Sequence, residues 1–175
     1  MANDAELNEL ATRLGEALQR RGCDLAVAES CTGGWIAKCL TDIAGSSAWF
    51  AGGFSCYSNH AKQAMLGVSD ETLVTHGAVS EAVARELATA ARHQLGTGLS
   101  VAVTGIAGPS GGTVNKPVGL VWFAWTGRDD EVVTARHVFD GDREAVRRQT
   151  VAVALEGVVA RLGPAQATGS ASGNP

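Results

Sequence analysis

The sequence predicts an α/β protein, a three-layer α/β/α sandwich in which a mixed sheet of about five to six strands is covered by helices on both faces. Three observations carry that expectation. Apolar stripes at helical spacing alternate with short apolar runs along the chain. Two of those runs, Val118 to Trp125 and Val132 to Phe139, flank the polar stretch Thr126-Gly127-Arg128-Asp129-Asp130, as in an antiparallel hairpin. Glycine-rich turns follow the ends of apolar runs, where ligands collect in open α/β sheets.

The elements follow in order. Leu7, Leu10, Ala11, Leu14, Ala17 and Leu18 form the inner stripe of an amphipathic helix that Gly22 ends. Leu25 to Ala28 is a buried strand feeding the turn Glu29-Ser30-Cys31-Thr32-Gly33-Gly34, after which Trp35, Ile36, Cys39 and Leu40 recover helical spacing. Ala48 to Tyr57 reads as a second strand, and Asn59 to Leu66 as a short helix capped by Asn59 and closed by Gly67. Ser80 caps a helix whose inner face is Val83, Leu87, Ala90, Ala91 and Leu95, with Gly96 as its stop. Leu99 to Thr104 is a third strand that runs into the loop Gly105 to Gly112. The last helix starts near Asp142 and buries Val151, Leu155, Val158, Val159 and Leu162. One domain is expected over 1–162, and the Gly/Ser/Ala/Pro stretch 163–175 is expected to be disordered, since it has nothing to bury.

Composition bounds the partners. Asp and Glu outnumber Lys and Arg by 18 to 14 with no basic cluster, so nucleic acid is not an expected partner. No run of about 18 apolar residues and no basic-then-apolar leader is present, which points to a cytoplasmic protein without a membrane partner. Cys23, Cys31, Cys39 and Cys56 lack C-x-x-C spacing and read as free thiols. His60, His76, His93 and His137 are scattered, so no metal or other cofactor is expected. A homodimer or higher homo-oligomer is the expected assembly.

Several residues suggest chemistry. Ser30 stands in a turn of small residues after a buried strand, where Thr32, Gly33 and Gly34 let backbone amides approach an anion or oxyanion. Ser30 or Thr32 acting only as a helix cap is the alternative. A serine hydroxyl needs a base, and Lys62 is the candidate: it lies in the first turn of a helix, where the dipole disfavours an ammonium and burial would lower its pKa further. A solvated surface lysine is the other reading. Tyr57, the one tyrosine, could relay a proton or orient a ligand, or simply be a strand aromatic. The loop Thr104 to Gly112 matches neither G-x-G-x-x-G nor G-x-x-x-x-G-K-[ST], so ATP and NAD sites are not indicated; its four glycines directly after a buried strand favour a ligand loop over a plain surface loop. Arg143 and Arg147, one turn apart at the start of the last helix, either await an anion or pair with Asp142 and Glu144.

Taken together, these motifs resemble the C-terminal domain of CinA (competence/damage-inducible protein A), a family that includes stand-alone nicotinamide-nucleotide amidases. The resemblance rests on Ala28-Glu29-Ser30-Cys31-Thr32-Gly33-Gly34, Gly52-Gly53 with Tyr57-Ser58-Asn59 and Lys62, and His76-Gly77-Ala78-Val79-Ser80. It continues through Val103 to Gly112, Lys116-Pro117-Val118-Gly119, and Gly141-Asp142-Arg143 with Val146-Arg147. It implies hydrolysis of the carboxamide of nicotinamide mononucleotide, a small-molecule nucleotide, to nicotinic acid mononucleotide and ammonia in pyridine-nucleotide recycling. It further implies Ser30 as nucleophile, Lys62 as its base, Tyr57 and Thr104 lining the site, and Arg143 facing an anionic part of the substrate. The turn amides near Thr32 to Gly34 or Thr104 to Gly105 would hold the oxyanion. Longer CinA relatives carry a large N-terminal domain that is missing here, so one activity is expected. The rivals are a nucleotide-binding domain in which Ser30 is inert and a thiol amidohydrolase using Cys31.

Overall fold

The computed structural model describes residues 3–127 and 131–162. Among them, α1 (Asp4–Arg20), β1 (Leu25–Glu29), α2 (Trp35–Thr41), β2 (Phe50–Ser55), α3 (Asn59–Leu66), α4 (Asp70–His76), α5 (Glu81–Leu95), β3 (Leu99–Gly105), β4 (Leu120–Thr126), β5 (Val132–Val138) and α6 (Arg143–Leu162) follow one another. The five strands form one mixed sheet in the order β2-β1-β3-β4-β5, with β1 parallel to β2 and β3, and with the β3–β4 and β4–β5 pairs antiparallel. The mixed sheet and its count match the expectation. The centre of the hairpin turn, 128–130, and the C-terminal stretch 163–175 lie outside the described residues.

The three inner strands, β1, β3 and β4, are buried on both faces, and their two faces differ in bulk. Leu25 and Val27 of β1, Val101 and Val103 of β3, and Val121, Phe123 and Trp125 of β4 face α1, α2 and α6. Alternate positions point the other way because strand side chains have a period of two. There Ala26, Ala28, Ala102 and Ala124 are small, and they meet Ala84, Ala88 and Ala91 of α5. The thin layer of alanines lets α5 lie close to the sheet, while the bulky face supports the two long helices.

Four local expectations change. Ser58 caps α3, its side chain accepting from Ala61 N at 3.0 Å, so Asn59 is the first helical residue. The second strand is shorter than Ala48 to Tyr57, because Ser46–Ala48 form a 3-10 turn and β2 ends at Ser55. The inner face of α5 includes Ala84 and Ala88, whereas Ala90 and Leu95 are only half-buried. In α6 the buried residues start at Ala145 and Val146 and end at Val158, which leaves Val159 and Leu162 at the margin.

Helix α4 has no counterpart in the apolar pattern. It is seven residues long and buries Leu73 alone, so no stripe can form. Its signal was in the ends: the Ser69 side chain accepts from Thr72 N at 2.9 Å, Asp70 and Glu71 occupy the first turn, and Gly77 follows.

The chain enters β2 on one side of β1 and β3 on the other. α2 lies on the bulky face and α5 on the thin one. This reversal makes the carboxyl ends of β1 and β3 a topological switch point, the place where an open sheet leaves a crevice.

Candidate active site

Ser30 follows the last residue of β1 and is nearly buried. Its amide donates to Val103 O (3.1 Å), and Gly33 N donates to Ser30 O (3.2 Å), so the chain leaves the sheet in a tight turn. Gly34 closes the turn at φ +95, a left-handed conformation that a side chain would strain. Beneath the turn, the buried Glu29 carboxylate accepts from Gly34 N (3.0 Å), Ile36 N (3.0 Å) and Ala37 N (2.8 Å).

Lys62 reaches Ser30 from the first turn of α3 on the opposite face. The lysine is 1% exposed, and its Nζ lies 3.0 Å from Ser30 Oγ. Nζ also donates to Cys56 O and to Tyr57 O, each at 3.1 Å. Burial holds the amine below its usual 10.5 and outweighs the opposing influence of Cys56, Cys31 and Tyr57. A neutral amine has two N–H groups and one lone pair. With both N–H groups on the two carbonyls, the lone pair faces the Ser30 hydroxyl, an arrangement that can take its proton.

These two groups sit in a cavity of about 160 Å³ that Tyr57, Thr104, Gly105 and Arg143 also line. Asn59, Ala78, Val79 and Ala107 complete its wall, residues that the sequence reading did not assign to the site. A larger groove of about 330 Å³ over Glu6, Glu9, Arg13 and Glu156 shares no residue with it and contains no serine or lysine.

Thr104 is buried, and its hydroxyl donates to Ala78 O at 2.7 Å, which leaves its lone pairs to offer a ligand. Tyr57 is 61% exposed at the mouth, and its hydroxyl accepts from an Arg143 Nη at 3.1 Å. The other Nη of Arg143 donates to Gly108 O at 2.9 Å, so the guanidinium spans the mouth from the tyrosine to the glycine-rich loop. Lys116 ties that loop down on its far side through Nζ to His76 O at 2.6 Å. Lys62, and not Tyr57, is the group in contact with Ser30.

Two expectations are corrected here. Thr32, Gly33 and Gly34 do not line the cavity. The amides of Gly33 and Gly34 are already bonded, to Ser30 O and to Glu29, and so are not free to hold an oxyanion. Arg147 does not line the cavity either. Its Nε donates to Cys31 O (3.1 Å), one Nη donates to Thr32 O (2.6 Å), and the guanidinium lies 5.2 Å from the Trp35 ring centre. It clamps the Ser30 turn from below, while its neighbour Arg148 packs on the same ring and pairs with Asp4 and Glu144.

Cys31 lines the cavity beside Ser30, but burial pushes its thiol up to about 12. A thiol held protonated at neutral pH is a poor nucleophile. Cys31→Ala should therefore keep turnover within about threefold of wild type, whereas complete loss would move the chemistry from oxygen to sulfur. All four cysteines are thiols, none of them in a disulfide. Among the described residues no helix is long and apolar enough to cross a membrane.

Comparison with known proteins gives a consistent set of relatives. A model of the CinA C-terminal domain matches residues 7–162. The chain is 54% identical over 153 residues to nicotinamide-nucleotide amidohydrolase PncC of Escherichia coli (strain K12), covering 87% of this chain and 93% of that one. It is 50% identical over 153 residues to the protein of the same name from Pseudomonas putida, covering 87% and 95% of the two chains. The crystal structure of competence/damage inducible protein CihA from Agrobacterium tumefaciens superposes with a TM-score of 0.87 at 45% identity, covering 94% of this chain and 98% of that one.

Proposed function

The chain belongs to the CinA C-terminal domain family, and on that premise we propose that it is a nicotinamide-nucleotide amidase, hydrolysing the carboxamide of nicotinamide mononucleotide to the carboxylate and ammonia. The observation that carries the reading is the 3.0 Å contact between Ser30 Oγ and the buried Lys62 Nζ inside a cavity. A domain that only bound nucleotide would gain nothing from burying an amine against a serine, since burial of an ionisable group is costly. Relatives matching most of the chain are named for this activity.

In the proposed reaction neutral Lys62 accepts the Ser30 proton as Oγ attacks the carboxamide carbon. Lys62 then passes that proton to the departing nitrogen, the C–N bond breaks, and ammonia leaves an ester on Ser30. Water, deprotonated by the same amine, cleaves the ester and restores the serine. The cationic pyridinium withdraws electrons from its carboxamide and so favours attack. With Gly33 and Gly34 committed elsewhere, the oxyanion falls to backbone amides that face the cavity at the Thr104–Gly105 end of β3. The Thr104 lone pairs suit the substrate's amide N–H.

At about 160 Å³ the cavity is below the roughly 300–1,000 Å³ typical of drug-sized ligand sites. It takes the ring with its carboxamide and leaves ribose and phosphate at the mouth. Arg143 uses two of its five N–H groups on Gly108 and Tyr57, and the remainder suit a phosphate there. Residues 1–162 act as one amidohydrolase domain in this reading, without metal or other cofactor, in the cytoplasm, and as a homodimer or higher homo-oligomer.

The direct test is ammonia release from nicotinamide mononucleotide by purified protein in EDTA. Absence of turnover with the nucleotide still bound would replace the reading by that of a binding domain. The pH dependence is a second test. Because neutral Lys62 is the competent form and its pKa is lowered, kcat/KM should climb with pH through an inflection below 10.5. The same shift affects stability. Between the lowered folded value and the ordinary value the unfolded chain binds the extra proton, so unfolding free energy should rise with pH across that window. Denaturant titrations across the window should show this slope in wild type and lose it in Lys62→Met.

A further inference from the structure

We propose that Glu29 is a positioning residue for the Ser30–Lys62 pair, its carboxylate fixing the turn that presents Ser30 and its carbonyl fixing the strand end on which Lys62 rests; the proposal builds on the amidase reading.

The carboxylate is 1% exposed. A buried carboxylate is costly unless its lone pairs are occupied, and here one oxygen takes Gly34 N and Ile36 N while the other takes Ala37 N. Helix α2 has no side-chain cap of its own, since the N-cap position is Gly34 at φ +95. The missing cap comes from Glu29 at the end of β1, five to eight residues earlier in the chain. A cap from within the turn would serve the helix alone. One that reaches back from the strand ties the end of β1 to the start of α2 and holds everything between them, Ser30 included.

The main chain of Glu29 serves the other partner. Its carbonyl accepts from Cys56 N (2.9 Å) and from Cys56 Sγ (3.6 Å). The Cys56 carbonyl in turn accepts from Lys62 Nζ at 3.1 Å. One residue thus sets where the hydroxyl stands and where one of the amine's N–H groups is anchored. Because hydrogen bonds to an ionised acceptor are the strong ones, the carboxylate is suited to this and a neutral amide is not. Glu29 also fills the positive end of α2, which removes that helix end as an anion site and agrees with an oxyanion held elsewhere.

The test compares Glu29→Gln and Glu29→Asp with wild type in steady-state turnover of nicotinamide mononucleotide, in the rate at which a fluorophosphonate labels Ser30, and in Tm. Glutamine presents an NH2 to at least one backbone N–H, and aspartate is one methylene too short. The expected result is a fall in kcat on the order of 10²-fold for Gln with KM within about threefold, a parallel fall in the labelling rate, and partial recovery in Asp. Turnover and labelling within about twofold of wild type in both variants, with a lowered Tm, would make Glu29 a helix cap only and overturn the proposal. Failure of both variants to fold would do the same. If wild type labels without turning over this nucleotide, the substrate reading fails while the labelling rates still decide the role of Glu29. Wild type that does neither ends both.

Discussion

Ser30→Ala is expected to lower kcat for ammonia release by on the order of 10⁴- to 10⁶-fold, and Lys62→Met to do nearly the same, while the double variant is no worse than either single one. The physical reason is that the two residues perform one operation. Without Lys62 the Ser30 proton has no acceptor at 3.0 Å, and without Ser30 the amine has no nucleophile to activate. Costs of groups that act as a unit do not add. Single-turnover kinetics on the two single variants and the double one measure the coupling directly. Additive losses would mean that serine and lysine act at different steps, and Lys62→Met with wild-type kcat would remove the general base from the mechanism. Nucleotide binding, followed by calorimetry, should survive in Ser30→Ala, because Arg143, proposed to hold the phosphate, is at the mouth of the cavity.

Gly119→Ala should produce the largest loss of stability from adding a single methyl group, about 2–5 kcal/mol. Gly119 sits where the glycine-rich loop enters β4, at φ +90, and a Cβ there would overlap the Phe139 carbonyl oxygen. Its amide donates to Ile106 O (2.8 Å), and its carbonyl accepts from Phe139 N (2.9 Å), so the backbone cannot swing aside without breaking either the loop closure or the entry to the hairpin. Left-handed strain of roughly 1–2 kcal/mol then adds to overpacking of roughly 1–3 kcal/mol. For a chain of this size that lowers Tm by roughly 10 °C. Gly22→Ala separates the two contributions: φ is +55 there and an added Cβ meets nothing within 4 Å, so only the strain, about 1–2 kcal/mol, should appear. Equal Tm shifts in the two variants would show that the Phe139 contact yields more easily than the hydrogen bonds suggest.

The site divides along the same line as these predictions, between what a short stretch of chain can encode and what packing assembles. Ser30, Lys62, Thr104, Gly105 and Arg143 were readable as candidates because each sits in a turn, a helix start or a glycine-rich loop, and Tyr57 because it is the one tyrosine and lies five residues before Lys62. All six face one cavity. Thr32, Gly33 and Gly34 were equally plausible from composition, yet they lie outside it. Small residues show that amides can be approached but not which partner reaches them first. Gly33 N is taken by Ser30 O and Gly34 N by Glu29, whose sequence signal was a carboxylate ending an otherwise apolar strand. Arg143 and Arg147 share a helix turn and a charge, and they differ by an orientation that spacing alone does not encode. One spans the cavity mouth, and the other clamps Cys31 O and Thr32 O.

By itself the sequence determined the alternation of strands and helices, the hairpin, the caps at Ser80 and the stops at Gly67 and Gly96, because apolar period, cap chemistry and positive φ act over a few residues. It also determined which groups were available for chemistry. The tertiary structure alone decided that Lys62 meets Ser30 across 32 residues of chain, and that the lysine is buried, hence lowered in pKa. The order β2-β1-β3 places α2 and α5 on opposite faces of the sheet and opens a crevice at the end of β1, where the two residues meet. Desolvation depends on everything packed around a group, and no local pattern carries that information.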